Sequence, residues 1–309
     1  MKWGCRMEYL HSNREQFLDA INLAVFKTGL APEIVEKDYY VTMILKKLAE
    51  RFDFIVFKGG TSISKCHRVI SRFSEDIDIT IDSSLSQGQK RKLKYGIVDM
   101  AAELGMEIPN LDSIRSRRDY NRYELAYSSV LDRLSDTVET EVLLETSFTE
   151  ISFPTVLLPV HSYIGDLFME EAPDAISQYN LDPFSMKVQG LDRTLIDKVF
   201  AICDYYLNNN VTKHSRHIYD IYKLYPLVPQ NDEFRELVRE VRSVRAKTSI
   251  CPSAQPGVNV PDILKQIIES HVYREDYYFL TVQLLEENVK YDQAIQTLKR
   301  IAAGGMFEE

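Results

Sequence analysis

Phe57-Lys58-Gly59-Gly60-Thr61-Ser62-Ile63-Ser64-Lys65, continuing to Arg72-Phe73-Ser74-Glu75-Asp76-Ile77-Asp78-Ile79, is the stretch that decides the fold of this 309-residue chain. Phe52–Phe57 is a short apolar run of β-branched and aromatic residues that stops at Lys58-Gly59-Gly60, which predicts a strand entering a glycine turn. Thr61–Ser71 is predicted as a helix. Asp76–Asp82 then alternates at period two, which puts Asp76, Asp78, Thr80 and Asp82 on one face of a strand and three isoleucines on the other. Two chemical features combine here. Glycines let backbone N–H groups approach a phosphate closely, and a following helix start favours its negative charge. Asp-x-Asp on a strand is a compact way to hold a hard cation such as Mg²⁺ against substrate phosphates. The order Gly-x-x-x-x-Gly-Lys-Ser/Thr is absent, so the turn is not a P-loop.

Working outward, the chain reads as helices, then strands, then helices. Residues 12–29 form a predicted helix, with Ser12 and Glu15 as a capping box and Gly29 at the C-terminal stop. A second helix runs from Pro32, a helix-starting proline, to Ala49, with Glu36-Lys37-Asp38 as its most polar segment. Leu85–Leu104 is a further helix. Arg122–Val130 and Thr137–Phe148 are predicted as an antiparallel pair joined by Leu131–Asp136, and Thr155–Val160 as another strand. From about Gly165 the chain is mostly helical: Leu191–Leu207 is the best helix, and others are expected near 213–225, 233–245, 261–272 and 275–303. The loop Ser249–Pro261, with Pro252, Pro256 and Pro261, is the expected mobile connection. The fold class is α+β: a mixed sheet flanked by helices over 1–165, then a C-terminal helical domain over 166–309 that completes a cleft.

Composition narrows the field. The formal net charge of -9 excludes a basic face over the whole surface, though not a local basic groove. The four cysteines, Cys5, Cys66, Cys203 and Cys251, contain no C-x-x-C pair, which excludes a zinc knuckle of the usual spacing and gives no disulfide framework. The stretch MKWGCRMEYLHSNREQ has no apolar segment, so no secretory signal is expected, and no run reaches the length of a membrane span. A cytoplasmic location follows as an expectation.

Hydrophobic strand, Gly-Gly-Thr-Ser, helix, then Asp-x-Asp in a β run resembles the nucleotidyltransferase superfamily of DNA polymerase β-like enzymes. Glu36-Lys37-Asp38-Tyr39 before this core, and Asp197-Lys198 and Arg216-His217-Ile218-Tyr219-Asp220 after it, resemble the AbiEii/AbiGii toxin family with its MenT-type members, over residues 33–225. The resemblance implies a mixed nucleotidyltransferase sheet and transfer of a nucleoside monophosphate from an NTP to an acceptor. By resemblance that acceptor is the tRNA 3′ end. It implies Mg²⁺ (or Mn²⁺) on Asp76 and Asp78, and an antitoxin partner in a toxin–antitoxin or phage-defence pair. By the same likeness Gly59, Gly60, Thr61 and Ser62, flanked by Lys58 and Lys65, hold phosphates. Glu145 is the candidate third carboxylate, with Glu141 and Glu139 on the same strand face. Lys198 is implied as a cation for the triphosphate, and Asp220 as its orienting partner or a base. Relatives often carry Asp where this chain has His217, which cannot bind a hard cation as a carboxylate does.

Other readings stay open at this stage. One is a non-catalytic nucleotide- or partner-binding module on the same fold. Another is a nucleotidyltransferase acting on a small molecule or a protein. Lys58, Lys65, Arg68, Arg72 and Lys198 make a local positive cluster of the kind a triphosphate or an RNA end needs. Arg115, Arg117 and Arg118 form a second basic run that reads either as a nucleic-acid edge or as a plain loop.

Overall fold

A computed structural model describes residues 8–132 and 138–308, with Glu150 described by its backbone alone. Cys5 and residues 133–136 of the Leu131–Asp136 connection lie outside the described residues. The chain divides into two units, Met1–His67 with Ser74–Val188, and Arg68–Phe73 with Gln189–Glu309. Residues 166–188 thus stay with the first unit instead of opening the second, and six residues of the stretch after the glycine turn belong to the second. The physical reason for the first difference is a strand that the helical reading of this region missed, described next.

The first unit opens with α1 (Arg14–Thr28) and α2 (Pro32–Arg51). Asn13, not Ser12, caps α1, its side chain accepting the Gln16 N–H, while Gly29 closes the helix at φ +72° as expected. There follow β1 (Ile55–Lys58), the single turn α3 (Gly59–Ser62), a wider π turn over Ile63–His67, and β2 (Ile77–Ile81). The expected helix Thr61–Ser71 is therefore shorter. It begins at the glycines and ends by His67, and Arg68 turns the chain at φ +56°. Next come α4 (Gln87–Glu103), capped by a Ser86–Gln89 box, then β3 (Tyr120–Ala126), β4 (Glu141–Ile151), β5 (Thr155–Pro159), α5 (Tyr163–Glu171) and β6 (Ser185–Gln189).

The six strands form one mixed sheet in the order β3-β4-β2-β1-β6-β5. β1 runs antiparallel to β2 and parallel to β6; β2 runs parallel to β4, which is antiparallel to β3. Strand β6 lies in a region whose sequence predicts mostly helix, because Ser185-Met186-Lys187-Val188-Gln189 is too short to show its period. Its partner, not its own pattern, makes it a strand: Phe57 pairs with Val188.

Alternation sorts the sheet's two faces. Ile55, Phe57, Ile77, Ile79, Tyr123, Leu125, Val142, Leu144 and Val188 are buried in one core with Phe17 and Ile21 of α1, Tyr39, Met43 and Ile44 of α2, Leu93 and Ile97 of α4, and Ile164 of α5. Each such side chain contributes about 1.5–3 kcal/mol on leaving water. The opposite face of the same strands carries Lys58, Asp78, Arg122 and Glu145, as period two demands.

The second unit contains α6 (Leu191–Leu207), α7 (Arg216–Leu224), α8 (Asp232–Arg245) and α9 (Val260–Ser270). It then has the short α10 (Arg274–Asp276), a π turn over Tyr277–Thr281, α11 (Val282–Leu284) and α12 (Tyr291–Ala303). The single helix expected over 275–303 is interrupted, because Leu284–Glu286 leaves the helix to bond the backbone of Ser71 and Phe73. The loop Ser249–Pro261 is also not a loose connection. Ser253 is fully buried, its backbone N–H and its hydroxyl both donating to Asp204, and Gln255 donates to the carbonyls of Ala246 and Thr248. Among the described residues no helix is long and apolar enough to cross a membrane.

Candidate active site

The glycine turn meets the acidic strand directly. Gly59 has φ +81°, the left-handed region that glycine enters without steric cost. A Cβ on Gly59 would stand 2.9 Å from Asp78 Cγ and closer still to Oδ2, so the Asp78 carboxylate lies against the bare Cα. Both properties require glycine at this position. The register extends the contact into a row across four strands: Lys58 pairs with Asp78, Asp78 with Glu145, and Glu145 with Arg122. Adjacent strands lie about 4.8 Å apart, so this row spans roughly 15 Å. Asp76, one residue before β2, is half-buried and makes no hydrogen bond or ion pair among the described residues. The structure therefore brings Lys58, Gly59, Asp78 and the sequence-proposed Glu145 together on one face of the sheet. Burial, and then the Glu145 carboxylate, push the Tyr120 hydroxyl pKa up, placing this ring beside the row.

The other turn residues are engaged within the protein. Thr61 Oγ1 lies 2.9 Å from Ser74 Oγ, and the Ser62 hydroxyl donates to the Gly59 carbonyl at 2.9 Å. Lys65 is buried and ion-paired to Asp38, whose second oxygen accepts the Tyr163 N–H at 3.1 Å. Within Glu36-Lys37-Asp38-Tyr39, which carries part of the family resemblance, Lys37 and Asp38 brace the site. Lys37 Nζ lies 2.5 Å from Glu75, next to Asp76, and donates to the Glu139 carbonyl before β4. Glu36 accepts from the Ser129 hydroxyl at 2.6 Å and the Val130 N–H at 2.7 Å. Burial raises the pKa of Glu36, and these two donors work against the rise. The signal for this was in the sequence: three successive charged residues on a helix that otherwise buries its length cannot all reach water, so each needs a partner.

Arg72, Lys198 and Asp220 meet inside the second unit. Arg72 donates to both oxygens of Asp220 at 2.7 and 2.8 Å, and Lys198 Nζ donates to Oδ2 at 2.6 Å. Asp220 is wholly buried. Burial works to raise its pKa, but the Arg72 guanidinium and the Lys198 ammonium overcome that and hold the carboxyl well below its ordinary range. Burial pulls the Lys198 ammonium down, opposed by Asp220. The backbone around Arg72 is fixed as well: Ser71 N–H donates to the Tyr219 hydroxyl at 3.0 Å, and Arg72 bridges Leu285. His217 stacks near Tyr205, its pKa held well below the usual value by burial and by Lys198. Arg68 is exposed and stands apart from this triad's buried contacts.

Residues 44–300 match the protein family described as nucleotidyl transferase AbiEii toxin, type IV toxin–antitoxin system. The chain belongs to the AbiEii nucleotidyltransferase toxin family. That match runs past the C-terminal motifs into α12, beyond the 33–225 that the motifs spanned. No curated protein matches the chain. Among solved structures, MenT4, a nucleotidyltransferase toxin from Mycobacterium tuberculosis H37Rv, has the same fold. It superposes with a TM-score of 0.57 at 16% identity, covering 92% of this chain and 88% of its own. The chain is therefore a nucleotidyltransferase on a mixed α+β fold.

The Gly59 contact makes a direct prediction. In Gly59→Ala the new methyl group must displace the Asp78 carboxylate, and a misplacement of about 1 Å at a reacting centre costs on the order of 100-fold in turnover. The left-handed backbone adds about 1–2 kcal/mol of instability. Steady-state nucleotide transfer, read beside thermal unfolding, checks both. Wild-type turnover in a folded Gly59→Ala protein would show that Asp78 does not need its place against the turn.

Proposed function

We propose that this enzyme transfers a nucleoside monophosphate from an NTP to the 3′ end of tRNA, releasing pyrophosphate. We assign it to the cytoplasm, as the toxin of a toxin–antitoxin or phage-defence pair with a cognate antitoxin. The Asp78 carboxylate seated on Gly59, in register with Lys58 and Glu145, is the observation that carries the proposal.

The donor set fits a hard divalent cation. Asp76 and Asp78 offer carboxylate oxygens only, and among the described residues no cluster of three or more Asp, Glu, His or Cys forms a closed cage. Mg²⁺ (or Mn²⁺) suits such a pair, because it is commonly bound by one or two carboxylates with substrate phosphates and water filling its shell. When bound, the cation supplies charge neutralisation on the phosphates and a more acidic acceptor hydroxyl. The chain's own residues do the rest. Lys58, which has no ion pair among the described residues, is the cation of the turn available to a phosphate. Because the Thr61 and Ser62 hydroxyls already have protein partners, the turn would offer the phosphate its backbone. The acceptor oxygen bonds the α-phosphorus as the bond to the pyrophosphate oxygen breaks, and Glu145 is assigned the departing proton. Lys65 and Lys37 act at one remove, Lys65 holding the turn through Asp38 and Lys37 holding the approach to Asp76 through Glu75. In the second unit, Asp220 and Arg72 fix the position of Lys198.

Total tRNA incubated with Mg²⁺ and each NTP in turn, followed by mass spectrometry of the 3′ ends, tests the proposal. One or more NTPs should add a nucleotide mass to the 3′ terminus, and expression without the antitoxin should arrest growth. Unchanged tRNA with all four NTPs would remove tRNA as the acceptor.

A further inference from the structure

Two stretches of the first unit concentrate positive charge in a chain of net charge -9. The first turns of α4 carry Lys90, Arg91, Lys92 and Lys94 with no acid among residues 87–95. Residues 113–122 carry Arg115, Arg117, Arg118 and Arg122 with Asp119 as the only acid. The fold joins the two stretches. Lys94 Nζ donates to the Ile114 carbonyl at 3.0 Å, and Lys90 pairs with Asp119 at 2.6 Å. The loop is held in shape by Asn121, which accepts the Arg115 N–H at 2.9 Å and donates back to the Arg115 carbonyl at 3.1 Å. Arg91, Lys92, Arg117 and Arg118 are exposed, and none forms an ion pair among the described residues. Aromatic rings are interleaved with the charges: Arg91 lies over Tyr95 at 5.5 Å, Lys90 over Phe148 at 5.6 Å, and Tyr120 is half-exposed.

We propose that this surface, α4 together with the 113–122 loop and the start of β3, docks the phosphate backbone of an RNA whose end reaches the Asp76–Asp78 row. Forked guanidinium groups match phosphate oxygens, and cations mixed with exposed rings are the composition of a nucleic-acid groove. Strand β3 connects the surface to the chemistry. Arg122 pairs with Glu145 and Glu145 with Asp78, so the Arg122 end of the surface lies two strand spacings, about 10 Å, from Asp78, and the 113–122 loop continues it round the β3 edge to α4, which packs on the sheet's apolar face. In an acidic molecule a fixed basic patch selects the orientation of a polyanion as well as binding it. The inference rests on the acceptor being RNA.

The quadruple variant Arg91→Gln, Lys92→Gln, Arg117→Gln, Arg118→Gln in the full chain tests it, with total tRNA as the probe. A control changes equal charge elsewhere: Lys247→Gln, Lys290→Gln, Lys299→Gln, Arg300→Gln. Loss of four phosphate contacts should weaken tRNA binding on the order of 100-fold near physiological salt and flatten the slope of log affinity against log salt by about 3. The KM for tRNA should rise in step, with the KM for NTP unchanged, while the control stays within about 2-fold of wild type. Equal weakening by the control would make the effect one of net charge and overturn the proposal. So would wild-type tRNA affinity in the quadruple variant, including the case in which that variant instead loses an acidic protein partner. Patch-dependent tRNA binding without any nucleotide addition would sustain the docking surface and remove the transfer reaction, so the two failures are distinguishable.

Discussion

Replacing both acids in Asp76→Asn, Asp78→Asn should lower nucleotide transfer on the order of 1,000-fold or more while the protein stays folded. The substitution keeps side-chain volume and removes two negative charges, so the packing of Asp78 on Gly59 survives. What would be lost, on the proposed metal role, is the hold on a hard cation and, with it, several kcal/mol of transition-state stabilisation. At about 1.4 kcal/mol per decade, 4 kcal/mol is the 1,000-fold loss expected. The stability cost is small by comparison, since Asp76 has no partner among the described residues and Asp78 sits between Lys58 and Glu145, charges of opposite sign. The measurement is single-turnover labelling of tRNA with the preferred NTP, beside a thermal unfolding curve and a tRNA-binding isotherm. Binding should persist, because the basic surface on α4 and the 113–122 loop is intact. Labelling within 10-fold of wild type would overturn the proposed metal role of Asp76 and Asp78.

The row of acids was legible because strand periodicity is local. Ile77, Ile79 and Ile81 had to face the core, so Asp76, Asp78 and Thr80 had to face the other way, and the antiparallel register of β2 with β1 brings Asp78 to Gly59. Glu145 was harder, because its value depends on register with β2, which is set by tertiary packing across 67 residues of chain. The burial of Glu36 and Lys37, and the half-burial of Asp38, could be inferred in outline from charge on an apolar helix, but their partners Ser129, Glu75 and Lys65 could not. Strand β6 and the break between α11 and α12 were hidden for the same reason: both are made by a partner distant in sequence, Phe57 for the first and Ser71 for the second. Arg72 shows the limit most clearly. In sequence it sits four residues before Asp76, in a cluster of cations suited to a phosphate. In the fold its Nε and Nη2 are taken by Asp220, 148 residues away, and its Nη1 donates to the Phe73 carbonyl. Proximity in sequence to a motif assigned it one role, and a buried carboxylate assigned it another.

That carboxylate makes the largest stability prediction. Asp220→Ala leaves Arg72 and Lys198 as two buried cations with nothing between them, which should destabilise the second unit by about 3–5 kcal/mol. Amide hydrogen exchange along α6 and α7 reports this unit by itself, and protection there should fall while protection in β1 and β2 is less affected. Acid should mimic the substitution. The folded-state pKa of Asp220 lies below its unfolded value of about 3.9, so its contribution is complete above that value and is lost as pH falls through the folded one. Asp220→Ala should therefore show a shallower decline of second-unit protection on acidification than wild type. A triad of charges is not the only way to fill this space. The triple variant Arg72→Met, Lys198→Met, Asp220→Leu removes all three charges together, so it should recover most of the lost protection, as apolar replacements of buried ion pairs often do. It should not recover nucleotide transfer if Lys198 works as a positioned cation. Recovery of transfer along with stability would make the triad a purely structural element of the fold.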